Sequence, residues 1–130
     1  MQKRVLAGAA MAALLTGCAF SQMDAAQQAV AAKPLTCAVG PECDAMWGRV
    51  APALRHYTPH GIRDETAEKV NNYLPRSSST APWFRVRKID RGDGTAEIRI
   101  DAGCMNVFGC SPDVSAVAAK VSSYVRTGTH

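Results

Sequence analysis

No stretch of this chain stays apolar for the 20 or so residues that a membrane-spanning helix needs. The one conspicuous run, Val5 to Leu15, is too short. Neither G-x-S-x-G nor H-E-x-x-H occurs, so the common sequence signs of an esterase-type serine and of a helical zinc protease are missing. No two cysteines stand at the C-x-x-C spacing of a redox dithiol. Ser77, Ser78 and Ser79 lie in a loop-like run with no base beside them, and no carboxylate pair is placed by periodicity for hydrolysis. There is no internal repeat. These absences lead to the expectation of a chain that is not an enzyme and carries no cofactor.

What is present begins at the amino end. Lys3 and Arg4 make a positive start, and the short apolar run follows as in a secretory signal. Its exit, Leu15-Thr16-Gly17-Cys18, resembles the lipobox of bacterial lipoproteins. The resemblance implies cleavage after Gly17 and lipid on the Cys18 sulfur, the one group there that can be alkylated. Two or more acyl chains hold a protein firmly where one does not, because each buried methylene contributes about 0.8 kcal/mol. Ala19 stands where Asp would retain such a lipoprotein in the inner membrane, so the expected address is the outer membrane, facing the periplasm. Lys3 and Arg4 are two of the 15 basic residues, so the formal charge of +4 falls to +2 on their removal. That near balance, with a periplasmic address, argues against nucleic acid as a partner.

Three regions are expected: residues 1–17 as signal peptide, 18–36 as lipidated Cys18 and an Ala/Gln-rich tether, and 37–130 as one small domain. A domain of this size benefits from staples. Cys37, Cys43, Cys104 and Cys110 remain after Cys18, an even number suited to two disulfides in an oxidising compartment. Three pairings are possible. Local pairs close short loops worth about 2 kcal/mol each, and long-range pairs close loops worth about 4 kcal/mol. Cys43 falls on the apolar stripe of a helix and Cys104 on the inner parity of a strand, which favours Cys43–Cys104 with Cys37–Cys110.

Gly40-Pro41-Glu42 reads as a helix start, with Cys43, Met46, Trp47, Val50 and Leu54 as its apolar stripe and Pro52 as a kink or stop. Ile62 begins a short strand, and Val70 to Leu74 reads as another. Trp83 to Ile89 and Thr95 to Asp101 are the clearest strands, joined by Asp90-Arg91-Gly92-Asp93-Gly94. Their expected pairing sets Phe84 by Ile100 and Val86 by Ile98. A last helix begins at Ser111-Pro112-Asp113, with Val114, Val117, Ala118, Val121, Tyr124 and Val125 facing inward. The fold class expected is α+β, a two-layer sandwich in the order helix, about three antiparallel strands, helix, with both helices on one sheet face.

Glu42-Cys43-Asp44-Ala45-Met46-Trp47, the Gly-Asp-Gly hairpin and Cys104-Met105-Asn106-Val107-Phe108-Gly109-Cys110-Ser111-Pro112 occur together. This set resembles a group of small bacterial lipoproteins with an E-C-x-x-M-W helix and a C-x-N-x-F-G-C-x-P segment. The resemblance covers most of residues 37–125 and implies the same address and disulfide style. It implies no activity. Pro52 departs from it, standing where the helix should be regular.

Three sets of residues compete for a role. His56 and His60 have the four-residue spacing of metal ligands on a helix, and Asp64 or Glu65 would have to join them, but Pro59 interrupts. Their plainer reading is solvated loop histidines. Arg85, Arg87, Lys88, Arg91 and Arg99 with Trp83 form a basic set suited to an anionic headgroup, a polysaccharide or an acidic protein. Its plainer reading is an ordinary outer sheet face with Arg87 opposite Glu97. Met105 to Gly109, with Asn106 and Phe108, reads as a displayed recognition loop or as a turn whose Phe108 caps the core. The function expected is a membrane-anchored envelope module that binds a protein or polymer. The alternatives are a periplasmic metal-binding protein using His56 and His60 and, further off, an envelope hydrolase.

Overall fold

The computed structural model describes residues 34–130. The expected signal sequence, Cys18 and nearly all of the expected tether lie outside them. The elements are β1 (Leu35–Ala38), α1 (Pro41–Gly48), α2 (Val50–Tyr57), β2 (Ile62–Glu65), β3 (Lys69–Asn72), β4 (Trp83–Asp90), β5 (Thr95–Gly103) and α3 (Val114–Thr127). The strands form one antiparallel sheet in the order β1-β5-β4-β3-β2. The α+β class therefore holds, with five strands and three helices among the described residues in place of about three and two.

β1 is the strand not expected: four residues are too few for alternation to stand out, and it begins at Leu35, inside the expected tether. β2, also four residues, is the short strand expected from Ile62. The extra helix comes from Pro52. Having no N–H, it cannot bond to the Gly48 carbonyl four residues back, and its ring crowds that group. The helix breaks there: the Arg49 N–H turns to the Met46 carbonyl, and α2 restarts with the Ala53 N–H on Arg49. The stripe survives the break, with Cys43, Met46, Val50 and Leu54 all buried. These side chains join Leu35, Cys37, Val70, Phe84, Val86, Ala96 and Ile98 from one parity of the strands, and Val117, Val121 and Val125 from α3, in a single core. One sheet face is thus covered and the other is wet.

The β4–β5 register is two residues from the expected one. Phe84 lies opposite Ala102 and Val86 opposite Ile100. The turn is centred one residue later than the pairing assumed, on Asp93 instead of Gly92: Asp90 pairs with Ala96, the Arg91 N–H bonds to the Thr95 carbonyl, and Gly92 and Gly94 take positive φ. A shift of two leaves each side chain on its expected face. The start of α3 also moves. Asp113, not Ser111, is its cap, with Oδ1 accepting from the Ser115 and Ala116 N–H groups, and Pro112 precedes the helix.

The disulfides are Cys37–Cys43 and Cys104–Cys110, which corrects the long-range pairing. β1 sets Cys37 opposite Ala96, and the turn at Val39 and Gly40 brings the first turn of α1 over it, with 5.1 Å between Cα atoms. Cys104 lies beyond the far end of β5. Eight residues of strand, about 26 Å, separate its level from that of Ala96, and a disulfide spans Cα atoms no more than about 7 Å apart.

Candidate functional site

β5 outruns its neighbour. β1 covers Thr95 to Ile98 alone, whereas β4 continues to pair as far as Trp83 with Gly103. At this extended end the sheet presents an aromatic on its wet face. The absence of a side chain on Gly103 lets the Trp83 indole lie against β5, where a Cβ would stand 2.6 Å from the ring. The Arg85 guanidinium sits 5.9 Å from the centre of the same ring. Tyr73 and Leu74, just past β3, are exposed at this end too.

The chain then leaves β5 into the loop closed by Cys104–Cys110. Asn106 organises it. Its Oδ1 accepts from the Phe108 N–H at 2.9 Å, its carbonyl accepts from the Gly109 N–H at 3.1 Å, and its Nδ2 donates to the Ser78 carbonyl. The Ser111 N–H bonds to Thr80, a second tie to the 75–82 segment. Asn106 thus supplies turn geometry, while Phe108 does not cap the core. Phe108 is 97% exposed and Val107 92%. The loop is a fixed turn with an apolar tip in water. Of two readings left open by the sequence, the displayed loop is the one found. Tyr73 and Leu74 carried no signal that could have added them, since Val70 to Leu74 reads as continuous strand.

The basic set is largely neutralised. Arg87 faces Arg99 across the strands, not Glu97, because of the register shift. It pairs with Asp101 at 3.0 Å, while Glu97 takes both Arg91 at 2.8 Å and Arg99 at 3.2 Å. Hydrogen bonds from Arg91 and Arg99 hold the Glu97 carboxyl below its usual range, and Arg99 is raised by Glu97 in return. Lys88 leaves the set altogether, lying over the Trp47 ring at 5.4 Å. Such surface pairs add little to stability, because water screens them. The contact of Arg85 is the Trp83 ring, which leaves Trp83 and Arg85 as the part of the set that belongs to the sheet end.

The histidine set does not assemble. His56 stacks at 4.1 Å on His130, whose Nδ1 meets the Tyr57 hydroxyl. His60 lies past the Pro59 break, its carbonyl taken by Asn72 and Thr58. Asp64 accepts hydrogen bonds from Asn71 and Arg63, which lower its pKa in that order, and Glu65 is bound to Arg55. Among the described residues no three His, Cys, Asp or Glu side chains converge as metal ligands, and no helix is long and apolar enough to cross a membrane.

No protein-family model matches the chain, and no curated protein or solved structure matches it.

Proposed function

We propose that the chain is a lipoprotein of the bacterial envelope, held by acylated Cys18 at the outer membrane and facing the periplasm. Its domain is a binding module, not an enzyme, and it engages another envelope component through the sheet end. The observation that carries this reading is the apolar tip itself. Exposed apolar side chains scattered singly mean little, but Val107 and Phe108 stand together on a loop fixed by a disulfide and two backbone ties. Rigid display of large apolar groups suits binding, because little freedom remains to be lost on contact.

The address is tested by intact mass and a nonreducing peptide map of protein isolated from membranes and alkylated before reduction. The expected result is a mature chain beginning at acylated Cys18, with Cys37 linked to Cys43 and Cys104 to Cys110. A mature chain without acyl mass overturns the anchor, and alkylated cysteines overturn the staples.

A further inference from the structure

We infer that the Cys104–Cys110 loop is a second membrane contact, in which Val107 and Phe108 enter the bilayer surface to which Cys18 is anchored. The inference deepens the proposed reading and rests on it for the orientation of the domain.

Four observations carry it. The first is direction. β1 runs antiparallel to β5 with Leu35 opposite Ile98 and Ala38 opposite Thr95. The amino end of β1 therefore faces the Gly103 end, the end from which the loop projects. The second is reach. About 16 residues separate Cys18 from Leu35. A chain of that length reaches at most about 55 Å, while a domain of this size is roughly 30 Å across. The anchor thus keeps the domain within that reach of lipid, and even a weak contact is held at high local concentration.

The third is the chemistry of the tip. No side chain between Cys104 and Cys110 carries a charge, so entry strips water from none. The Phe108 and Gly109 N–H groups are already bonded to Asn106, which matters where no water can take their place. The fourth is the collar. Tyr73 and Trp83 lie at the same end of the sheet as the loop, residues suited to the boundary between headgroups and chains. The Arg85 guanidinium beside Trp83 is placed for anionic headgroups.

The test uses the full chain, acylated and reconstituted in vesicles of phosphatidylethanolamine and phosphatidylglycerol. Phe108→Trp puts an indole on a side chain that touches no core, so folding is preserved. Its emission is read as the difference from the parent protein. The expected result is a blue shift and strong quenching by lipids brominated near the headgroup. Water-like, unquenched emission from position 108 overturns the inference and leaves the tip for a protein partner. A second arm removes the anchor. Cys18→Ser protein is titrated with the same vesicles, and adding Val107→Ser and Phe108→Ser should lower its partition coefficient about a hundredfold. An unchanged coefficient also overturns the contact. The two readings fail separately: a chain without acyl mass whose position 108 is still quenched on added vesicles sinks the anchor alone, and an acylated chain with unquenched emission sinks the loop alone.

Discussion

The molecule contains the same staple twice and uses it in opposite ways. Each disulfide spans six positions of sequence. Cys37–Cys43 ties the first strand to the first helix, and both of its residues are buried, at 4% and 3% exposure. Cys104–Cys110 ties a loop to itself beyond the last strand and carries Val107 and Phe108 out into water. What differs is the position of each loop relative to the sheet. The first lies where β1, β5 and α1 overlap, so closing it adds to the core. The second lies where β5 has outrun β1, so closing it stiffens something the core does not cover. A short disulfide loop therefore takes its role from the coverage around it, not from its own spacing.

The largest test of this contrast sets two phenylalanines against each other. Phe84 is 1% exposed and Phe108 97%. Phe84→Ala should cost about 3–5 kcal/mol, the range for a buried phenyl, and Phe108→Ala should stay within about 0.5 kcal/mol. Urea unfolding of both variants measures it. A loss above about 1 kcal/mol for Phe108→Ala would mean that the loop packs on the domain, and the comparison would collapse.

Next come the staples themselves. In the chain-entropy model, loops of this length contribute about 2 kcal/mol each. Replacing Cys104 and Cys110 together by Ala should cost about that. The same change at Cys37 and Cys43 should cost about 3–4 kcal/mol, since it also leaves a void in the core. Equal losses from the two double variants, measured at equilibrium in urea, would refute the distinction between a core staple and a display staple.

Legibility in the sequence follows the same divide. The helix stripe Cys43, Met46, Val50, Leu54 and the inner parity Phe84, Val86, Ala96, Ile98 could be read because burial imposes a period, and the register error of two left that period intact. The disulfide pairing could not. Periodicity shows that a cysteine faces inward, not how far along a strand it lies, and Cys43 and Cys104 both passed the parity argument. The candidate site was half legible. Trp83, Arg85, Asn106 and Phe108 were named from the sequence and lie at one end of the sheet. The exposure of Phe108 was not decidable, because a phenylalanine in a Gly-closed turn fits a core cap as well as a display. Arg87 and Arg99 were named and are spent on Asp101 and Glu97.

The root of the loop offers a finer test. Gly103 is the point where β5 hands over to the loop, and a Cβ there would stand 2.6 Å from the Trp83 ring. Gly103→Ala must displace the indole, an overpacking cost of about 1–3 kcal/mol. The displaced ring also loses Arg85. The emission of the Trp83 indole should shift while Trp47, at the other end of the sheet, reports no change. Silence from Trp83 would mean that the ring does not rest on β5.

Acid separates the two regions by the smallest effect. The wet face holds Glu97 and Asp64 with carboxyls pulled below their usual values, first by hydrogen bonds from Arg91 and Arg99 and from Asn71 and Arg63. Asp93, in the hairpin, is lowered by the Thr95 hydroxyl and N–H. A carboxyl whose folded pKa is depressed lends stability above its unfolded value, and that stability is lost as pH falls through the folded pKa. For Glu97 the loss begins below its ordinary value of 4.5. Asp93 is exposed and Glu97 and Asp64 are only partly covered, so the loss is small. Glu97→Gln should lower the urea midpoint slightly near neutrality and flatten its fall below that pH, so that variant and parent converge in acid. The loop between Cys104 and Cys110 has no side chain that titrates in this range, so Phe108→Ala should leave the acid slope as it is in the parent. A slope altered by Phe108→Ala would couple the tip to the charged face, and the two regions could then no longer be treated as independent.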